Sequence, residues 1–237
     1  MRETLEKGLD ALGLDKSCIP VLERFAALML ERNQVMNLTA ITEPKEVASL
    51  HLLDSLALIQ AAELKTEKIV DVGAGAGFPG MPLAIAGPSL QLTLLDSLGK
   101  RVDFLRETAE ALELKNVACV HARAEEFAAE RRESFDAAVS RAVAALPVLC
   151  ELCLPLVKPG GRMLAMKSSH TEDEIDQAKA AIRLLGGEIQ WVKDYTIPTT
   201  DVVHRIVCIR KIAPTPKKYP RRFALIKKSP LGVPGQK

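Results

Sequence analysis

The residues from Lys68 to Gly80 read KIVDVGAGAGFPG: a short apolar run carrying Asp71, then glycines at 73, 75 and 77. Glycine lets the backbone take positive φ and lets a ligand approach it closely. Open α/β sheets bind ligands at the carboxyl ends of their strands. Asp71, at the end of that run, offers a carboxylate to a cationic amine. Asp96 ends the next apolar run and suits ribose hydroxyls. A ligand with an amino-acid end, a sulfonium and an adenosine, S-adenosylmethionine, matches these groups. The same letters also contain G-x-G-x-x-G, from Gly75 to Gly80, the fingerprint that sets a dinucleotide pyrophosphate on a helix N-terminus. In that register the strand has to run through Gly73; in the first it stops where the glycines begin. Asp96 serves either ligand, so methyl transfer, hydride transfer and a purely structural α/β domain all stand at this point.

The elements that must position these residues follow from periodicity. Up to about residue 60 the chain reads as helical. Leu22, Phe25, Ala26 and Met29 form one apolar stripe, with Ser17 as cap and Pro20 in the first turn. A break near residues 37–39 precedes a second helical stretch from Thr42 and Pro44 to about Ala62. From Lys68 onward, short apolar runs at 68–72, 91–95, 117–120, 135–139 and 161–166 alternate with helical stretches. In the helix expected over 100–114, Val102, Leu105, Ala109 and Leu112 share a face. Another, over 172–185, opens with a capping box between Thr171 and Glu174 and closes at Gly186 and Gly187. Such alternation implies parallel strands with helical crossovers. The last two runs, 187–197 and 205–212, have no helix between them, which favours an antiparallel pair. The expectation is an α/β fold of the class I S-adenosylmethionine-dependent methyltransferase kind: Rossmann-like, with a mostly parallel seven-stranded sheet and an N-terminal helical extension. The boundaries expected are 1–64 for the extension, 65–212 for the methyltransferase domain and 213–237 for a basic, proline-rich arm without regular structure.

Composition narrows the classes. No apolar run is long enough for a membrane span, and residues 1–10 carry three acids and no export signal. Five scattered cysteines, at 18, 119, 150, 153 and 208, fit a reducing cytoplasm better than a disulfide framework. Cys150 and Cys153 form C-x-x-C on an apolar helix with no second pair or nearby histidine, so they read as buried core, and no metal is expected. Ten Lys and Arg and no acid follow Asp201, leaving 22 basic against 30 acidic side chains before it. A basic tail on an acidic body fits a polyanionic partner, or else a solvated tail.

Taken in order along the chain, several segments carry a more specific match. They are Asn37-Leu38-Thr39-Ala40-Ile41, His51-Leu52-Leu53-Asp54-Ser55-Leu56, the run from Asp71 to Gly80, Leu95-Asp96-Ser97 with Lys100-Arg101, Arg123-Ala124-Glu125, Ser140-Arg141-Ala142 and Tyr219-Pro220-Arg221-Arg222. Together they resemble the RsmG family, also called glucose-inhibited division protein B, bacterial methyltransferases of small-subunit ribosomal RNA. The resemblance implies transfer of a methyl group from S-adenosylmethionine to N7 of a guanine in the decoding-region loop of 16S rRNA. It also implies donor-binding positions at Gly73, Phe78, Ala124, Glu125 and Arg141, to which Asp71, Gly75 and Asp96 are added from the turn itself.

Each position has a physical reading. Gly73 clears space for the methionine end, and Phe78 walls the apolar part of the donor. Glu125 accepts from the adenine amino group, and Arg141 meets the donor carboxylate or a phosphate. Each also has a structural alternative: Phe78 as core packing, Glu125 as a solvated acid at a helix start, Arg141 as an ion-pair member. His51 and Asp54, at i and i+3, stand either as substrate contacts or as a pair fastening the helical extension. Because N7 carries a lone pair and no proton, no general base is required and no catalytic side chain is nominated. Phosphate contacts are expected from Lys100, Arg101, Arg123, Lys167, Arg221 and Arg222. At 4% aromatics, recognition by broad base stacking is disfavoured, Tyr219 and Phe223 in the tail excepted. The partner expected is 16S rRNA in the small subunit or an assembly precursor, met by a cytoplasmic monomer without membrane contact; a nicotinamide-dependent enzyme using the overlapping glycine pattern and an RNA-binding assembly factor without chemistry are the alternatives that stay open.

Overall fold

The computed structural model describes residues 1–233; residues 234–237, the end of the expected arm with Pro234, lie outside the described residues. Two compact units divide the chain: Met1–His121 with Thr196–Val203, and Ala122–Tyr195 with the chain from His204 onward. The N-terminal helices therefore share a unit with the first strands.

In the first unit, α1 (Arg2–Leu12) and α2 (Ile19–Met36) lead to α3 (Pro44–Glu46), a π-helical stretch (Val47–Leu53) and α4 (Asp54–Ala61). The expected stripe Leu22, Phe25, Ala26 and Met29 is fully buried, and Pro20 lies in the first turn of α2. Ser17 is not the cap. Asp15 takes that role, accepting from the Ser17 backbone N–H at 3.0 Å and from its hydroxyl at 2.6 Å in a short 3-10 turn. The carboxylate reaches the free N–H two residues on, where Ser17 already lies inside the turn. The second helical stretch is not one regular helix either, because its middle seven residues are π-helical. Then follow β1 (Lys68–Val72), α5 (Gly80–Ala86), β2 (Gln91–Asp96), α6 (Gly99–Ala111) and β3 (Val117–His121). β1 pairs with β2 and β2 with β3, both parallel. Val102, Leu105, Ala109 and Leu112 of this crossover are buried, as their spacing requires.

The second unit holds α7 (Ala124–Glu130), β4 (Phe135–Arg141), α8 (Leu146–Cys153), β5 (Val157–Ser168), α9 (Glu172–Leu184), β6 (Gly187–Thr196), β7 (Val203–Lys211) and α10 (Phe223–Lys228). β4 and β5 are parallel and β5 and β7 antiparallel. The seven strands form one sheet in the order β3-β2-β1-β4-β5-β7-β6, the mostly parallel arrangement with a reversed closing strand that the alternation implied. The capping box of α9 does not form. Thr171 gives its hydroxyl to the Ser168 carbonyl, and Glu174 is taken by Lys167 at 2.7 Å and by the Leu146 N–H at 3.0 Å. A charged partner and a backbone donor outcompete the reciprocal cap. Cys150 and Cys153 are buried on α8, and burial pushes the Cys150 thiol far above its ordinary range. Among the described residues there is no cluster of metal ligands and no helix long and apolar enough to cross a membrane.

The C-terminal segment departs most from expectation. It contains a helix, α10, and it is fastened to its unit by polar contacts, those of Lys211 buried. Arg132 donates to the carbonyls of Thr215, Pro216 and Tyr219. The Thr215 N–H donates to Glu133 at 2.6 Å. The Lys211 ammonium, wholly enclosed, donates to the Leu154 carbonyl and the Thr215 hydroxyl, both at 2.6 Å, with Glu133 at 3.3 Å. Arg221, expected on phosphate, is instead held by Glu151 of α8, which is fully enclosed: Nη2 lies 2.6 Å from Oε2, and the Arg221 backbone N–H donates to Oε1 at 2.9 Å. A buried carboxylate needs a cation and hydrogen bonds together, and the tail supplies both.

Two outcomes follow. Arg221→Ala leaves Glu151 enclosed without its cation and lowers the unfolding free energy by about 3–5 kcal/mol; a urea midpoint equal to wild type would show the pair to be inert. Burial also depresses the Lys211 ammonium to about 8 from 10.5. Below pH 8 it is charged in both states and its enclosure costs stability. From pH 8 to 10.5 the unfolded chain holds a proton that the folded one has shed, so stability rises with pH. The unfolding free energy of wild type relative to Lys211→Met should therefore climb across that window, and a flat difference in denaturant titrations contradicts it.

Candidate functional site

In the first unit the glycine turn is built from the strand outward. β1 stops at Val72, and Gly73, Gly75 and Gly77 all take positive φ, at 78°, 57° and 98°. The N–H groups of Gly73 and Ala74 both donate to the Leu95 carbonyl, at 2.8 and 3.1 Å, tying the start of the turn to the end of β2. The Gly77 and Phe78 N–H groups return to the Ala74 carbonyl, and α5 begins only at Gly80.

Two carboxylates pin this turn. Asp96, last residue of β2 and nearly enclosed, accepts from the Gly75 N–H through Oδ2 and from the Leu98 N–H through Oδ1, each at 2.9 Å. Arg101 stands 3.8 Å from Oδ2. Each Asp96 oxygen thus holds one backbone donor and has a second lone pair for a ligand hydroxyl. A Cβ built on Gly75 would meet nothing nearer than the Gly73 carbonyl oxygen at 3.8 Å, so the turn faces open space beside that carboxylate.

Asp71 is different. Fully buried, it accepts from the Gly80 N–H through Oδ2 at 2.8 Å. Through this oxygen Asp71 shapes the turn, holding the first residue of α5. The extent of β1 speaks against the dinucleotide register: the strand stops at Val72, where the first glycine begins, and does not run through Gly73 to reach Gly75.

Phe78 is buried at the same turn. Its ring lies 5.3 Å from that of Phe25 on α2 and 4.5 Å from that of His51, which stacks on it at 24°. His51 Nε2 is 2.8 Å from the Thr39 hydroxyl, and Thr39 is bracketed by Asn33, which accepts from its N–H at 2.9 Å and donates to its carbonyl at 3.0 Å. Of the two readings of His51, the fastening one matches these contacts: the π-helical stretch presents the ring to Phe78, and Asp54 is buried in α4. Asn33 escaped the reading of the sequence. Its only signal was its place four residues ahead of the break at Asn37, which caps α2 in the left-handed conformation.

In the second unit, Ala124 opens α7 and Glu125 lies in its first turn. Arg123 precedes them and donates from Nε to Glu125 Oε1 at 2.8 Å, which raises the Arg123 pKa. Its guanidinium carbon lies 4.9 Å from the centre of the Phe223 ring. Arg141 ends β4, at a carboxyl strand end as expected. Lys167, expected on phosphate, is mostly enclosed and organises the loop after β4, giving Nζ to the Ala144 carbonyl at 2.9 Å and to Glu174 at 2.7 Å. Lys100 and Arg222 keep exposed side chains. Gly73, Gly75, Phe78, Asp71 and Asp96 are thus brought together in the first unit, and Arg123, Ala124 and Glu125 in the second; Lys167 and Arg221 are committed to internal partners.

Comparison with known proteins bears on this geometry. The family model described as rRNA small subunit methyltransferase G matches residues 19–203. A curated protein called ribosomal RNA small subunit methyltransferase G from Lachnoclostridium phytofermentans is 46% identical over 233 residues, covering 96% of each chain. One of the same name from Alkaliphilus metalliredigens is 47% identical over 232 residues, covering 96% of this chain and 97% of that one. Among solved structures, NSun6 from Pyrococcus horikoshii with SFG superposes with a TM-score of 0.56 at 15% identity, over 74% of this chain and 57% of that one. TYW2 of M. jannaschii in complex with AdoMet gives 0.52 at 18%, over 62% and 70%. The two structural likenesses speak to the fold alone.

Gly80 tests the anchoring of the turn. A methyl there would stand 2.2 Å from Leu94 Cδ2 and 2.8 Å from Asp71 Oδ2. Gly80→Ala should cost about 1–3 kcal/mol of stability by overpacking, read as a lower urea midpoint; an unshifted midpoint would mean that Leu94 and Asp71 give way to the methyl.

Proposed function

Because the chain belongs to the family of ribosomal RNA small subunit methyltransferase G, we propose that it methylates small-subunit ribosomal RNA with S-adenosylmethionine as donor, and that the acceptor is N7 of a guanine in the decoding-region loop of 16S rRNA. The observation that carries the donor assignment is Asp96. Its carboxylate is fixed by the Gly75 and Leu98 N–H groups beside a turn that faces open space, and it retains lone pairs for the two ribose hydroxyls. These residues fit the donor, whereas a dinucleotide would need β1 to run on through Gly73, and it stops at Val72. The donor supplies an electrophilic methyl carried on sulfonium.

Asp96 binds the ribose, and Gly73 and Gly75 let the backbone come close to the ligand. Phe78, held by Phe25 and His51, keeps the turn rigid and dry. Ala124 and Glu125 at the start of α7 take the adenine, and Arg141 a carboxylate or phosphate. Guanine N7 loses no proton on methylation, so the chain needs no general base; its work is to hold the acceptor in line, which in well-oriented systems is worth about 7–11 kcal/mol. Exposed Lys100 and Arg222, with Lys217, Lys218, Lys227 and Lys228 of the tail, serve the RNA phosphates.

Two measurements test this reading. With donor labelled in the methyl group and small ribosomal subunits, label should appear in the RNA and emerge as 7-methylguanosine after digestion to nucleosides; label in another nucleoside rejects N7, and label only in protein rejects the RNA. Asp96→Ala should weaken donor binding by about 1.5–3 kcal/mol in calorimetry; unchanged affinity removes Asp96 from the site.

A further inference from the structure

The C-terminal helix reaches the α7 start through one guanidinium. Arg221 is locked to the enclosed Glu151 by side chain and backbone, so the residues that follow begin from a fixed point. Two residues on, Phe223 opens α10, and Ile226 of the same helix is fully buried. The Phe223 ring carries the Arg123 guanidinium on its face at 4.9 Å, and Arg123 Nε donates to Glu125 Oε1 at 2.8 Å. Glu125 has only 10% of its side chain exposed, whereas Arg123 has 46%. An ion pair with so exposed a cation is ordinarily weak, because ordering a long side chain costs entropy. A flat apolar ring under the guanidinium removes part of that cost and adds a cation–π attraction.

We propose that Phe223 is the platform of a relay, Phe223 to Arg123 to Glu125, through which the C-terminal arm sets the orientation of the acid that reads the donor's adenine. This rests on the reading of Glu125 given above. Arg123 and Phe223 are positioning residues: neither need touch the ligand, and their effect is on how sharply the 6-amino group is recognised. The arm then has two faces with separate tasks, its lysines outward for phosphate and Phe223 inward for the pocket acid. It also explains why Arg123, expected on RNA phosphate, has its guanidinium engaged on two sides.

The test compares binding of S-adenosylhomocysteine with that of its analogue lacking the 6-amino group, by calorimetry on the full chain. Wild type should prefer the amino compound, and Glu125→Ala should abolish the preference. Phe223→Leu keeps the apolar bulk and loses the aromatic face; it should reduce the preference roughly three- to tenfold at an unchanged urea midpoint, and Phe223→Tyr should restore it. A preference untouched by Phe223→Leu but lost in Glu125→Ala overturns the relay and leaves the role of Glu125 standing. A preference that survives Glu125→Ala removes Glu125 from adenine recognition, and the relay with it.

Discussion

Two carboxylates hold a loop that has almost no side chains of its own. Between Val72 and Gly80 the backbone makes a turn with three glycines at positive φ, a conformation that an unfolded chain abandons readily. Asp96 fixes its middle through Gly75, and Asp71 fixes its end through Gly80. Without these contacts the glycines at 73 and 75 would rest on the Leu95 carbonyl and on their neighbours' packing, and the backbone donors would be less firmly set. Preorganisation of this kind lets a site bind without ordering itself at the moment of binding.

The N-terminal helices extend that constraint from the other side. Phe78 has no pocket within the turn to bury its ring, and it packs instead against Phe25 and His51. His51 is in turn set by Thr39 and, through it, Asn33. The helical extension is therefore part of the site's scaffold, which is why it shares a compact unit with β1, β2 and β3. In the second unit the C-terminal segment does comparable work, with Glu151 and Lys211 as enclosed anchoring points and Glu133 beside Lys211.

Period and punctuation made most of the fold legible. The apolar runs before Gly73 and at Asp96 are strands, the stripes on α2 and α6 are buried, and the absence of a helix between β6 and β7 marks the change of strand direction. Local pattern failed where a longer-range partner prevailed. The Thr171–Glu174 capping box reads well in isolation, yet Lys167 and the Leu146 N–H claim Glu174. Arg221 and Lys167 look like surface cations because charge is visible in a sequence and enclosure is not. Asp71 stands next to the glycines, but its brace on Gly80 depends on its depth in the sheet, which proximity in sequence does not show. The proline-rich tail conceals a six-residue helix, too short for periodicity to reveal. Phe223 and Arg123 lie a hundred residues apart, beyond any local signal.

The widened helical stretch from Val47 to Leu53 carries one implication for how this protein can vary. A regular helix advances by about 100° per residue, and a wide turn absorbs one residue more than the regular ladder has room for. The rings and aliphatic groups on either side of it keep their bearings only while that surplus is accommodated. A single-codon deletion there would swing the imidazole of His51 away from Phe78 while leaving every neighbouring side chain chemically intact. The bearing of His51 toward Phe78 thus depends on segment length as well as on residue type.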